Sequence, residues 1–454
     1  MANDEIPEDG YSGGSEKAHH LVVLVHGLWG NPNHMAQVAK TLRAHHSRDE
    51  VHILVAKRNS GSFTYDGIEL GGERVCLEIE DELAQIASRG GTITKLSLVG
   101  YSLGGLVARY AIGLLHARGV LDRLECNNFT AFASPFLGVR SPRRGLFGDF
   151  FNGVGARSLC MSGRQLFGID RFRDTGKPIL AVLADPNSIF MAGLARFKRR
   201  TVYMNITNDR TAPYYTTGIM KTDPYRDLDK IKVNFVQGYE DVVLDPITPI
   251  AASATPPKVP LLESVKKSLK RISFISLLVM VMPIAFVGLL VNSVIQSVRS
   301  AGRVSLHEKG LAGINPKDYR VNLWMKEIRG AVEDAYESLN NAQGQEYLGL
   351  SSSSSEAGDV EVRAGRGDAA ATEDQEILAV ERKESRLADQ LTLALAPYQF
   401  TAIQALDKLG WRKYPVWIHK VNHSHAAIIK RTVSPKYEEG QVVLNHWVRE
   451  EFLL

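Results

Sequence analysis

Short apolar runs rich in β-branched residues punctuate the first half of the chain and alternate with amphipathic stretches. Leu21–Val25 (LVVLV) has strand length and no polar face, as expected of a strand buried on both sides of a parallel sheet. Val51–Ala56 (VHILVA) predicts a second strand, Leu96–Val99 a third and Phe129–Ala133 a fourth. Over Glu73–Ser88, the residues Val75, Ile79, Leu83 and Ile86 recur at helical spacing among acidic neighbours, which predicts an amphipathic helix. Leu103–Leu115 predicts another helix. Strands alternating with helices in this way form a mostly parallel central sheet with helices on both faces. The rhythm breaks over 137–200, where a Gly- and Phe-rich stretch (GLFGDFFNGVGARSLC) follows Arg140, Arg143 and Arg144. It resumes at Arg200–Thr207 (RTVYMNIT) and closes at Pro415–Val421 (PVWIHKV).

Two segments between those last strands obey neither pattern. Residues 351–385 open on five serines and continue rich in Gly, Ala and acidic residues, with too few large apolar side chains to offset the entropy of ordering; a disordered insertion is expected. Residues 272–298 carry no charge, long enough to cross a bilayer, and follow the basic cluster Lys266, Lys267, Lys270 and Arg271. The expected organisation is therefore a disordered 1–19, a first core part over 20–255 with a lid-like insertion at 137–200, and a basic and hydrophobic membrane-associating segment over 256–300. A helical continuation over 301–350, the insertion at 351–385 and a last core part over 386–454 complete it.

Composition narrows the function classes. The 454 residues carry 54 Lys and Arg against 50 Asp and Glu, a formal net charge of +4, too little for bulk nucleic-acid binding. Three scattered cysteines (Cys76, Cys126, Cys160) give neither a disulfide framework nor a zinc spacing and favour a reducing compartment. The acidic, Gly/Ser-containing N-terminus has no apolar run, so no secretory signal is expected.

The chemistry concentrates in Gly100-Tyr101-Ser102-Leu103-Gly104. It follows a predicted strand and opens a predicted helix, the setting of a nucleophile elbow, where small residues two before and two after the serine relieve backbone crowding. His26-Gly27-Leu28-Trp29-Gly30 follows the first strand, where such hydrolases place one oxyanion-hole amide; the second comes from the residue after the nucleophile, so Leu28 and Leu103 are the candidate donors. His26 is read as structural. A serine needs a histidine to take its proton and an acid to orient that histidine, in the chain order Ser, acid, His. Asp209, after RTVYMNIT, is the favoured acid, with Asp185 and Asp241 as rivals. His425, after the last strand, is the favoured base, with His423, His419 and His446 as alternatives.

With HGLWGNP, GYSLGGLVARY, NITNDRTAPY and NHSHAAII in view, the chain resembles the putative serine esterase family of α/β-hydrolases, nearest to its fungal lipid-droplet phospholipase members. The resemblance is dense over 20–215 and returns at 411–432. The segment FASPFLGV resembles a family stretch that commonly reads Thr-Pro-His-Leu-Gly, but has Ser134 and Phe136 where Thr and His are usual. The resemblance implies an α/β-hydrolase fold and hydrolysis of fatty-acyl esters of glycerophospholipids, with Ser102, Asp209 and His425 as the triad and no metal or organic cofactor. The expected partners are a phospholipid or other acyl-lipid substrate and a membrane or lipid-droplet surface, with no nucleic acid. The expected location is the cytosolic face of lipid droplets or endoplasmic reticulum. An acyltransferase or thioesterase using the same triad, and a non-catalytic tethering protein, are the rival readings. Because Ser102 precedes 272–298 and His425 follows it, a single membrane crossing there would separate the two.

Overall fold

The computed structural model describes residues 11–139, 160–225, 228, 231–251, 291, 294–310, 393 and 395–454. Residues 140–159 of the lid-like insertion, the 351–385 stretch expected to be disordered and most of the apolar run 272–298 lie outside the described residues.

Six strands form one sheet: β1 (His20–Val25), β2 (Val51–Val55), β3 (Lys95–Tyr101), β4 (Glu125–Phe132), β5 (Arg199–Asn205) and, last in the chain, β8 (Arg412–Val416). Their order is β2-β1-β3-β4-β5-β8, and every pairing is parallel. A small antiparallel pair, β6 (Lys232–Val233) with β7 (Ile250–Ala251), stands apart and is tied to the sheet by a bridge between Val243 and Val416. The expectation of a parallel sheet covered on both faces holds. Alternate residues of β1 enter two different cores, Leu21, Val23 and Val25 on one side and Val22 and Leu24 on the other. Helices α2 (Ile68–Ser88) and α3 (Leu103–Ala117) cover the first face, joined by α4 (Ile189–Ala195). Helix α1 (Ala36–His45) covers the second, with the C-terminal helix described below.

Several boundaries differ from the pattern reading. Helix α2 begins at Ile68 rather than Glu73, because Gly71 and Gly72, ordinarily helix breakers, are needed for close packing: a Cβ at Gly72 would lie 2.5 Å from the Tyr110 ring. The last strand starts at Arg412 and ends at Val416, earlier than Pro415–Val421, since the Trp417 amide leaves the sheet to donate to the Val242 carbonyl. The expected disorder of 1–19 does not extend to 11–19: Gly13 exchanges two backbone hydrogen bonds with Ile53 on the edge strand, and Arg43 donates to the Gly13 carbonyl. Within 137–200, the described part from 160 on is packed into the core through Leu166, Ile179, Leu183, Phe190 and Leu194 rather than standing off as a lid.

A helix over 294–308, α5, follows the apolar run. Helices α6 (Pro397–Asp407), α7 (Ser424–Ala427) and α8 (Glu438–His446) complete the described chain, α8 lying on the second face. Among the described residues no helix is long and apolar enough to cross a membrane.

Candidate active site

Strand β3 ends at Tyr101 and helix α3 begins at Leu103, leaving Ser102 to turn the chain with φ 54° and ψ −128°. Positive φ is unusual for a residue with a Cβ, and such strain is held only where neighbours impose it. Here the Ser102 amide donates to the Phe132 carbonyl at 2.9 Å. A Cβ on Gly104 would lie 2.1 Å from the Val25 carbonyl oxygen, and one on Gly100 would lie 2.3 Å from the Gly105 Cα, so both positions require glycine. The same crowding governs the loop after β1, where a Cβ on Gly27 would come within 2.7 Å of the Ser102 Cβ. Leu28 and Leu103 thus flank the serine. Leu103, as the first residue of α3, has no intrahelical acceptor for its amide. Among the described residues neither the Leu103 nor the Leu28 N–H donates to a protein acceptor.

The structure brings Ser102, His425 and Asp209 together from positions 107 and 323 residues down the chain from the serine (209 − 102 and 425 − 102). The Ser102 Oγ lies 2.9 Å from His425 Nε2, and His425 Nδ1 lies 2.8 Å from Asp209 Oδ2. Asp209 follows Asn208, whose φ of 60° bends the chain off β5 and turns the carboxylate back over the sheet. The carboxylate is nearly sealed from solvent and fully engaged. Oδ2 also accepts from Asn205 Nδ2 at 3.0 Å, and Oδ1 accepts from the Thr211 and Ala212 amides at 3.0 and 2.8 Å. The short helix α7 carries His425, and Ser424 anchors it to the acid's loop by donating to the Thr207 carbonyl at 2.7 Å. From below, the Tyr101 hydroxyl donates to the His425 carbonyl at 3.0 Å.

The rival residues lie elsewhere. Asp185 accepts from the Asn187 amide in a turn, and Asp241 is exposed at the surface. His423 is exposed, while His419 stacks on Trp417 and meets Glu439. His446 is buried against the Tyr203 hydroxyl at 2.7 Å, and that burial pushes its pKa down to about 4. His26 packs beneath Gly30 with its ring against the Gly27 carbonyl, and burial holds its pKa below the usual imidazole range. Phe136, where the family's histidine is usual, is a core residue with its ring 5.2 Å from the Arg109 guanidinium. Three contributors were not foreseen. Tyr101, Asn205 and Ser424 each hold the acid or the histidine in place, and only Tyr101, inside the elbow motif, had any local mark in the sequence.

The arrangement has the parts a serine hydrolase uses: a hydroxyl at a helix N-terminus, an imidazole able to accept its proton, and a desolvated carboxylate on the far ring nitrogen. Comparison with known proteins agrees with it. Residues 15–222 match the family described as putative serine esterase (DUF676). The putative lipase ROG1 of Saccharomyces cerevisiae is 31% identical over 231 residues, which are 48% of this chain and 32% of that protein. The putative lipase C4A8.10 of Schizosaccharomyces pombe is 26% identical over 216 residues, 46% of this chain and 27% of that protein. The chain thus spans about a third of the length of the curated relatives it matches. The solved structure of a lipase-esterase related protein from Clostridium acetobutylicum overlaps 45% of this chain and 82% of its own at 11% identity, with a TM-score of 0.27; the strand order and the elbow, not that likeness, establish the fold here. Residues 15–222, somewhat under half of the chain, thus match the putative serine esterase family, and the parallel sheet with its elbow at Ser102 gives the chain an α/β-hydrolase fold.

Proposed function

We propose that the protein hydrolyses acyl esters of lipids, glycerophospholipids foremost, through an acyl-enzyme on Ser102. The observation that carries this reading is the continuous relay from Ser102 Oγ through the His425 ring to Asp209, at 2.9 and 2.8 Å. His425 Nε2 takes the hydroxyl proton as Oγ attacks the ester carbonyl, and Asp209 keeps the other ring proton on Nδ1. The Leu28 and Leu103 amides receive the oxyanion, where two preorganised donors each contribute on the order of 3 kcal/mol to the transition state. The protonated imidazole then gives its proton to the departing alcohol, and water repeats the sequence to free the fatty acid.

The preference for lipid substrates draws support from the names of the relatives and from the uncharged 272–298 stretch, and on this reading the chain acts at a membrane or droplet surface on its cytosolic side. Purified protein incubated with mixed lipids should release fatty acid and lysophospholipid, and Ser102→Ala should release neither. Release at the wild-type rate by Ser102→Ala would remove the serine from the mechanism. A wild-type protein that labels with a fluorophosphonate but leaves every lipid intact would confine the proposal to other esters.

A further inference from the structure

Helix α5 is inside out. At about 100° per residue, Val294, Ile295, Val298 and Leu306 share one arc, and all four are exposed, Val298 at 68%. Ser300, Arg303 and His307 share the opposite arc, and these polar side chains are the ones turned to the protein. A surface helix of a water-soluble protein has the reverse arrangement, with its apolar stripe on the core.

Ion pairs hold the polar arc in place. Arg303 forms a bidentate contact with Asp66, Nε to Oδ2 at 2.9 Å and Nη2 to Oδ1 at 2.7 Å, and Arg74 meets the same carboxylate at 2.7 Å. Asp66 is fully buried beneath the two guanidinium groups. His307 Nε2 lies 2.6 Å from Glu73 Oε2, and Ser300 donates to the Tyr65 carbonyl. The apolar arc is therefore turned outward by specific, buried bonding.

The polar arc, in turn, is linked to the loop after β1. Phe63, 42% exposed, lies between the guanidinium groups of Arg74 and Arg303, 5.0 and 5.1 Å from its centroid. Its neighbour Thr64 accepts the Trp29 amide, and the Gly61 amide donates to Gly30. Trp29 is 66% exposed and follows Leu28, whose amide borders Ser102. Exposed apolar side chains thus stand on α5, at Phe63 and at Trp29, and the Arg303–Asp66 pair together with the Thr64 and Gly61 hydrogen bonds ties α5 to the loop that carries Leu28 and Trp29.

We propose that the outward apolar arc of α5 seats on lipid and, through its bonded link to the Trp29 loop, keeps the catalytic domain at that surface; the inference rests on the acyl-lipid reading of the site. Lipid is the occupant that fits the sequence on the near side of the helix. The uncharged run from Ile272 leads directly into the apolar arc, and the basic cluster at Lys266, Lys267, Lys270 and Arg271 complements anionic headgroups. The exposed Trp29 on the linked loop suits a headgroup boundary.

The three native cysteines are buried, so an introduced one can be labelled selectively in the full-length protein. Val298→Cys carrying an environment-sensitive fluorophore should shift to the blue and brighten when vesicles of phosphatidylcholine and phosphatidylserine are added. Ala117→Cys, exposed at the far end of α3 from Ser102, should not respond. Val294→Asp with Val298→Asp should lower the release of fatty acid from vesicles on the order of tenfold or more while leaving turnover of a water-soluble short-chain ester unchanged. A label at 298 that ignores vesicles to which the protein is bound overturns the proposal. So does a label already blue-shifted without lipid, which would mean that another part of this chain, or a second copy, covers the face. If the label responds while neither lipid nor soluble ester is cleaved, the docking surface stands and the hydrolase reading fails.

Discussion

Replacing Asp209 by asparagine alters one atom of the site and its consequences follow from four hydrogen bonds. The carboxylate accepts from the Thr211 and Ala212 amides at Oδ1, and from His425 Nδ1 and Asn205 Nδ2 at Oδ2. An asparagine has one acceptor oxygen and one donor nitrogen. If the oxygen stays with the two backbone amides, the new NH₂ points at His425, whose Nδ1 must then accept. The ring's only proton moves to Nε2 and faces Ser102 Oγ, a donor where the mechanism needs an acceptor. If the amide flips, the Thr211 and Ala212 amides face an NH₂ group, at about 1–3 kcal/mol for the less exposed of them, so the first orientation prevails. Turnover should fall by roughly 10,000-fold, the size of a wrong-tautomer defect. The Asn205 contact, donor against donor, should lower stability by only about 1–3 kcal/mol. Initial rates with a soluble short-chain ester, the rate of fluorophosphonate labelling and a thermal melt together read both quantities. An Asp209→Asn enzyme within tenfold of wild type would refute the tautomer argument, as would a loss of activity fully explained by unfolding.

Ser102→Ala should lose on the order of a million-fold in kcat and all fluorophosphonate labelling while melting near the wild-type temperature; residual labelling would identify a different nucleophile. Gly104→Ala should be far more damaging to folding than its size suggests, because its Cβ would meet the Val25 carbonyl, which is backbone and cannot yield; a soluble, labelled Gly104→Ala protein would contradict the packing of the elbow. Burial lowers the pKa of His20 to about 3 and of His446 to about 4 from 6.5. Their folded forms stay neutral while the unfolded chain takes up protons below pH 6.5, so each removes roughly 1.4 kcal/mol of stability per pH unit as pH falls from there toward its folded value. Denaturant midpoints followed from pH 7 to pH 5 should drop accordingly, and His446→Phe should flatten the slope; an unchanged slope would assign the acid sensitivity elsewhere. Asp66→Ala leaves Arg74 and Arg303 facing each other without their carboxylate and should cost about 3–5 kcal/mol, with protease cleavage near α5 rising first; an unaltered digestion pattern would show that the ion pairs do not hold that helix.

Residues whose neighbours are fixed by backbone geometry were readable in the sequence. A continuous LVVLV run can be buried only on both faces, and the glycines around Ser102 are where a Cβ would strike a carbonyl, so strand, elbow and oxyanion loop follow from local letters. Asp209 and His425 were reachable because the fold's chain order limits the acid and the base to the ends of late strands. Tyr101 and Ser424 were not, because each contributes a bond to a residue more than two hundred positions away, and Asn205, though only four residues before Asp209, is marked as its partner only by the turn at Asn208. Helix α1 escaped for a related reason. Its buried residues, Val38, Ala39, Thr41 and Leu42, make a narrow and partly polar stripe. The polarity of α5 was hidden because the buried acid that pairs Arg303 lies more than two hundred residues earlier.

Those long-range pairings also constrain the chain between them. The described chain before it ends at Ala251, in a strand pair tied through Val243 to Val416 of the sheet. The description resumes at α5, where Ser300, Arg303 and His307 bond to Tyr65, Asp66 and Glu73. Both attachments belong to the domain that joins Ser102 to His425. Any stretch between them that enters a lipid layer must therefore return to the side from which it entered, because a single crossing would tear either the Asp66 pairing or the Ser102–His425 contact. A monolayer with no aqueous far side accommodates that geometry as readily as one leaflet of a bilayer. The experiment that separates them is the distribution of the protein between droplets and microsomal membrane when Val294 and Val298 carry charge.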